Sequence, residues 1–190
     1  AEITEVTDEE LSKVSFLQHP QHVIGIFPIP HPSLQLSTLH QKLCIALDGV
    51  QDPGNIGTII RLADWFGITD IICSPDTADA FNPKVVQATM GSIARVNIYY
   101  EDLINVIDNL PTNTPINGTL LNGKNIYEEQ LSDNGIIIMG NEGNGISKEI
   151  EEKVNKKLLI PNYPPERETA DSLNVAIATA IVCAEFRRRT

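Results

Sequence analysis

The sequence predicts an α/β fold with a mainly parallel sheet and helices on both faces. From Leu43 onward, short apolar runs alternate with helix-length amphipathic segments, the signature of strands joined by crossover helices. Two of those runs, Ile68–Cys73 and Gly135–Met139, are continuously apolar, as expected of strands covered on both sides. Glycine-rich turns follow Leu47 and Met139, where a strand gives way to a helix. Such junctions aim backbone N–H groups and helix N-termini into one crevice.

Residues 1–40 differ from the rest. Asp8–Ser12 suits a short helix and Val23–Phe27 a strand, and Pro28, Pro30 and Pro32 begin a linker. One helix and one strand cannot bury a core alone. The segment is therefore a packed appendage or the end of a domain whose beginning is absent. Beyond it, strands are expected near 43–48, 69–73, 95–100, 116–121, 135–139 and 157–160, and helices near 55–66, 82–91, 101–109, 146–154 and 172–188.

In the first of these helices, Ile56, Ile59, Ile60, Ala63 and Gly67 form one apolar stripe. Arg61 falls opposite that stripe, flanked by Thr58 and Trp65. An arginine and a tryptophan on the wet face suit either plain solvation or a partner subunit or anionic ligand. The last helix carries Val175–Ala184, apolar or small on nearly every side, and so reads as buried all round. One side would face the sheet and the other a second subunit, which predicts a homodimer.

The composition sets bounds. A length of 190 residues with 42% hydrophobic content supports one domain with a sizeable core and a short extra segment. The net charge of −11 argues against a protein that coats nucleic acid. Lys84, Arg95, Lys156, Lys157 and Arg187 to Arg189 remain candidates for a local basic patch. Cys44, Cys73 and Cys183 sit in apolar runs without CxxC spacing and read as core thiols in a reducing compartment, the cytoplasm. His19 and His22 lack a supporting ligand pattern, so no metal is expected. The run Val175–Ala184 is too short to span a bilayer, and no membrane association is expected.

Three segments carry chemistry. The first is Asp48–Arg61, a glycine-rich strand-to-helix turn. The second is Gly135–Ser147, where a strand empties into a loop with glycines at 140, 143 and 145 and with Glu142 at its mouth. The spacing is not that of a dinucleotide fingerprint or a P-loop. Ser147 reads as an N-cap. The third is Leu158–Pro161, an irregular loop, then Ser172-Leu-Asn174 opening the last helix. Asp171 or Ser172 would cap that helix, leaving Asn174 inside it, where asparagine has poor propensity.

Taken in order, Asn55-x-Gly-x-x-x-Arg61, Gly140-Asn-Glu-x-x-Gly145 and Ile160-Pro…Ser172-Leu-Asn174 resemble the three motifs of the SpoU/TrmH family of RNA methyltransferases, of the SPOUT class. The resemblance covers residues 41–190 as the catalytic domain, with 1–40 resembling the end of a substrate-binding N-terminal domain plus its linker. It implies a C-terminal deep trefoil knot, S-adenosylmethionine as methyl donor, and a ribose 2′-hydroxyl of tRNA or rRNA as acceptor. The alternative is a non-catalytic RNA-binding member of the same fold.

Carried over by residue, the resemblance implies a cofactor cleft at Gly140, Ile160 and Leu173, with Leu120, Asn141, Glu142, Gly143 and Asn162 as neighbours. Asn162 stands where the family commonly has methionine, and the loop from Pro161 to Ser172 is longer than usual. Arg61 would be the key catalytic residue, acting with the other subunit's cofactor. Asn55, Glu142, Ser172 and Asn174 would shape the site. A guanidinium is a poor base, so Arg61 is expected to bind the adjacent phosphate and stabilise developing alkoxide charge. Glu142 would accept the proton or hold its loop together.

Overall fold

The computed structural model describes residues 2–15, 21–164 and 167–188. The chain divides into two units, Ala1–Pro30 and His31–Thr190. In the first, helix α1 spans Asp8–Val14. Its start is fixed by a reciprocal capping box. The Thr7 hydroxyl accepts from Glu10 N at 3.3 Å, and the Glu10 carboxylate accepts from Thr7 N at 2.9 Å. The strand expected over Val23–Phe27 does not form. No ladder partner meets it among the described residues, and Ile26 is 96% exposed. Apolar and β-branched residues supply propensity, but a strand needs a neighbour to become one.

The second unit carries a six-stranded sheet of order β3-β2-β1-β5-β4-β6. The strands are β1 (Leu43–Asp48), β2 (Asp70–Cys73), β3 (Asn97–Tyr100), β4 (Ile116–Asn125), β5 (Gly135–Gly140) and β6 (Lys156–Leu159). Every pairing is parallel. All six lie where the sequence places strands. Alternation along β1 sends Ile45 and Leu47 into the core on one side and Cys44 and Ala46 into the core on the other.

The helices are α2 (Leu36–Leu39), α3 (Pro53–Trp65), α4 (Pro83–Ala88), α5 (Leu103–Asp108), α6 (Lys148–Glu151) and α7 (Val175–Arg188). Side chains of α3, α4 and α7 fill one core with the sheet, and those of α2, α5 and α6 fill the other. Helix α2 was not expected, since its stretch reads as linker. Leu39, 1% exposed, anchors it.

Two helices are shorter than their sequence pattern suggests. The segment 82–91 stops at Ala88, turns through Met90 and Gly91 at φ 51° and 87°, and resumes as a 3-10 turn at Ser92–Ala94. The segment 146–154 keeps only the single turn of α6. Within the single chain, the last helix is buried on one side and open on the other. Val175, Ala176, Thr179, Val182, Cys183 and Phe186 are buried, whereas Ile177 is 54% exposed. Among the described residues, no helix is long and apolar enough to cross a membrane.

Candidate functional site

The site is built where β1, β5 and β6 end. At the end of β1, the buried Asp48 carboxylate accepts from Ser147 N at 2.7 Å, tying the first strand to the entrance of α6. Ser147 does occupy the N-cap position, but its side chain makes no capping hydrogen bond. The loop after β1 is held by a small polar ring. Gly49 N donates to Ser74 Oγ at 2.8 Å, and Thr77 Oγ1 donates to Leu47 O at 3.1 Å.

Asp52 caps α3, accepting from Asn55 N at 2.8 Å, and Pro53 occupies the first turn. The stripe Ile56, Ile59, Ile60 and Ala63 is fully buried, while Gly67 lies just beyond the helix and is exposed. Gly57 is also buried, because α4 crosses there: a Cβ would stand 2.4 Å from Ala88 Cβ. Arg61, Thr58 and Trp65 all point outward, Trp65 being 83% exposed.

At the end of β5 the chain doubles back sharply. Asn141 and Gly145 exchange two backbone hydrogen bonds of 2.9 Å each. Asn141 Oδ1 accepts from Gly143 N at 2.9 Å and Asn144 N at 3.1 Å, while its Nδ2 donates to Gly49 O at 2.7 Å. Gly140 permits the fold-back: a Cβ there would lie 2.2 Å from the Gly145 carbonyl carbon.

Glu142 joins the motifs. Its carboxylate accepts from Gln51 N and Asp52 N, each at 3.2 Å, and from Asn55 Nδ2 at 3.0 Å. Asn55 Oδ1 in turn accepts from Asn174 Nδ2 at 2.9 Å. Partial burial works against the Glu142 charge. The donors at Asn55, at its own backbone, at Gln51 and at Asp52 outweigh burial and hold the carboxyl below the usual glutamate range.

Asn174 is itself the N-cap of α7, accepting from Ala176 N at 3.0 Å and Ile177 N at 3.2 Å. The helix therefore begins at Val175 rather than near residue 172, and neither Asp171 nor Ser172 caps it. The sequence places Asn174 inside the helix because the apolar run alone does not mark where the cap falls.

A cleft of about 570 Å³ opens at these strand ends. Gly140, Asn141, Glu142 and Gly143 line it, as do Ile160, Ser172 and Leu173 and also Leu120. Asn162 does not line it; its Nδ2 donates to Arg167 O at 3.1 Å, within its own loop. Arg61 and Asn55 lie outside the lining as well, Arg61 on the outer face of α3 and Asn55 behind Glu142. Leu121, Asn122, Glu151 and Asp171 line the cleft without having been expected there. Thr119 and Lys124 both pair with Leu158, so residues 120–123 bulge out of the sheet over the cleft. The only sequence trace of that bulge is Gly123, where a Cβ would meet Leu158 backbone at 2.6 Å.

Of the candidates for a basic patch, Lys84 is exposed on α4, while the other described ones are engaged within the chain. Arg95 grips Asp64 with contacts of 2.6 to 3.0 Å, and Lys157 pairs with Glu151 at 2.5 Å. Lys156 donates to Gln130 O. Arg187 Nε donates to Phe66 O at 2.8 Å, closing the end of α3, and Arg188 pairs with Glu185 at 2.8 Å. Arg189 and His19 lie outside the described residues. Burial pushes the thiols of Cys44, Cys73 and Cys183 up to about 12, so none is reactive at neutral pH. Among the described residues, no group of three or more His, Cys, Asp or Glu side chains is placed to hold a metal.

A cleft of this size, with leucine and isoleucine in its lining beside a polar glycine-rich turn, suits a small molecule with a flat apolar part and polar edges. Comparison with known proteins gives a consistent answer. The SpoU rRNA Methylase family matches residues 42–184. The 23S rRNA (guanosine(2553)-2′-O)-methyltransferase RlmP of Bacillus subtilis is 34% identical over 184 residues, covering 96% of this chain and 71% of that protein. A TrmH-family structure from Porphyromonas gingivalis superposes with a TM-score of 0.81 at 38% identity, covering 100% of this chain and 74% of the other. An AdoMet-bound rRNA methyltransferase from Sinorhizobium meliloti gives a TM-score of 0.85 at 34% identity, covering 96% and 70%.

Proposed function

Because the chain belongs to the SpoU rRNA methylase family, we propose that it is an S-adenosylmethionine-dependent RNA methyltransferase acting on a ribose 2′-hydroxyl of rRNA or tRNA. The observation that carries this reading is the hydrogen-bonded union of all three motifs, Asn174 to Asn55 to Glu142, beside one cleft. The cleft fits the cofactor. Leu120, Ile160 and Leu173 supply apolar surface for an adenine, and the Gly140–Gly143 turn supplies backbone edges. Glu142 and Asp171 add carboxylates to the lining, which suits a cationic ligand, while Glu151 is paired with Lys157. When bound, the cofactor would supply an electrophilic methyl group on a sulfonium: its C–S bond would break as the bond to the 2′-oxygen forms, with S-adenosylhomocysteine as the leaving group and the hydroxyl proton passing to solvent.

The chain's own residues take the remaining tasks. Arg61 binds the phosphate beside the target ribose and stabilises negative charge growing on the 2′-oxygen. We read Glu142 as a positioning residue rather than the proton acceptor, since three donors already stabilise its anion and a carboxylate with a depressed pKa is a weak base. Asn55 and Asn174 hold α3 and α7 in register with the cofactor loop. Ser172, exposed on the cleft wall, orients the ribose.

Arg61 stands outside the cleft of its own chain. That supports a homodimer in which Arg61 serves the partner's cofactor and the outer face of α7 packs on a second copy. Residues 1–40 belong to this reading as the end of a substrate-binding domain and its linker. So do the trefoil knot of the Gly140 and Ile160–Asn174 loops and a cytoplasmic location, which agrees with three unpaired buried thiols.

The deciding experiment incubates the protein with labelled S-adenosylmethionine and unmodified 23S rRNA, 16S rRNA or tRNA transcripts, then maps the modified nucleotide. A single 2′-O-methylated position is expected. Cofactor binding in calorimetry without methyl incorporation into any of the RNAs would overturn the reading in favour of a non-catalytic RNA-binding member.

A further inference from the structure

Gly54, Thr58, Arg61 and Trp65 recur at intervals of four, three and four residues, so they form one outward stripe on α3. All are exposed, and none is acidic, in a chain of net charge −11. The one carboxylate within the helix, Asp64, is turned aside and bound by Arg95. Arg95, Lys156, Lys157, Arg187 and Arg188 are spent on contacts within the chain, whereas no hydrogen bond or ion pair engages Arg61 among the described residues. Trp65, the sole tryptophan, stands one turn from it with 83% of its surface exposed.

A solvated indole beside an uncommitted guanidinium is poor design for a surface without a partner. It is a good design for single-stranded RNA. An arginine takes a backbone phosphate, and an aromatic plane takes a base splayed out of the strand. The spacing of about 5–6 Å between side chains one turn apart keeps both contacts within neighbouring nucleotides. In a protein this acidic, stacking also provides affinity that long-range electrostatics withholds.

We propose that Trp65 is the RNA-stacking residue of the site, holding a base adjacent to the ribose whose phosphate Arg61 binds. This inference rests on the RNA-methyltransferase reading and adds a substrate-positioning residue to it. Base stacking lost on alanine substitution weakens single-stranded RNA binding by about 5- to 150-fold.

The test uses Trp65 as its own reporter. Titrating the protein with a single-stranded RNA oligonucleotide is expected to quench tryptophan emission. Trp65→Ala is expected to raise the KM for the methylated rRNA or tRNA transcript more than it lowers kcat, with Trp65→Phe restoring most of the loss. Cofactor affinity, read by calorimetry, and the subunit count, read by light scattering, should both stay as in the unsubstituted protein. RNA methylation with no quenching and an unaltered KM in Trp65→Ala would overturn the proposal. So would dissociation of the subunits by Trp65→Ala, which would make Trp65 a protein contact. RNA-dependent quenching without methylation would uphold the stacking role while defeating the catalytic reading.

Discussion

Helix α3 has two sides of opposite character. Around its N-terminus a network of polar groups is paired: Asp52 holds Asn55 N, Glu142 holds Gln51 N, Asp52 N and the Asn55 amide, and Asn174 closes the chain of contacts. On its outer face Arg61 and Trp65 stand in solvent, and Arg61 has no polar partner among the described residues. The first side is preorganised within the chain, and the second is open to whatever is placed against it. On the proposed function, the difference separates residues that build the site from residues that act on what enters it.

The sharpest way to break that distinction is Arg61→Ala. Removing a group that stabilises transition-state charge costs roughly 100- to 1000-fold in turnover. Methyl transfer under single-turnover conditions should fall by that factor, while S-adenosylmethionine affinity by calorimetry stays close to that of the unsubstituted protein. Loss of cofactor binding in Arg61→Ala would place Arg61 among the builders and erase the contrast.

Glu142→Gln probes the other side. An amide cannot present two acceptor oxygens to three donors, so the loop should loosen and cofactor affinity should fall about tenfold, the scale of one charge-assisted hydrogen bond. The folded carboxyl titrates below its ordinary value of 4.5, so the anion stabilises the fold above that value and the benefit disappears as the pH drops through the lowered pKa. Glu142→Gln should therefore be less stable than the unsubstituted protein at pH 7, and the gap should narrow on acidification below 4.5. Thermal unfolding across that range measures it. A gap that stays constant with pH would mean the ionised carboxylate is not what holds the loop.

The two sides were also unequally legible in the sequence. The strands were readable because burial on both faces demands long apolar runs, as in Ile136–Met139. Arg61 and Trp65 were readable as exposed, since they fall outside the apolar stripe of their own helix. The joins were not readable from local pattern. Glu142 meets Gln51 across 91 residues, and Asn174 meets Asn55 across 119, distances at which no periodicity speaks. The resemblance brought these residues together without saying which atoms touch. Bulge 120–123 escaped because a looped-out segment within a strand keeps the strand's composition. Val23–Phe27 erred the other way, with strand-like residues and no strand to pair with.

The smallest test compares two N-cap positions. Asn174 accepts from two helix amides and Ser147 from none. Losing a working cap costs about 1 kcal/mol, within a range of about 0.5–2. Asn174→Ala should thus lower stability by about that amount in denaturant titration, and Ser147→Ala should change it by less than about 0.5 kcal/mol. Asn174→Asp then separates the residue's two roles. The carboxylate keeps the cap, and a negative charge at a helix N-terminus is favourable, but it has no amide hydrogen to give Asn55. Stability should survive in Asn174→Asp while cofactor affinity falls. If both survive, Asn174 serves α7 alone, and the chain of contacts from α7 to the cofactor loop ends at Asn55.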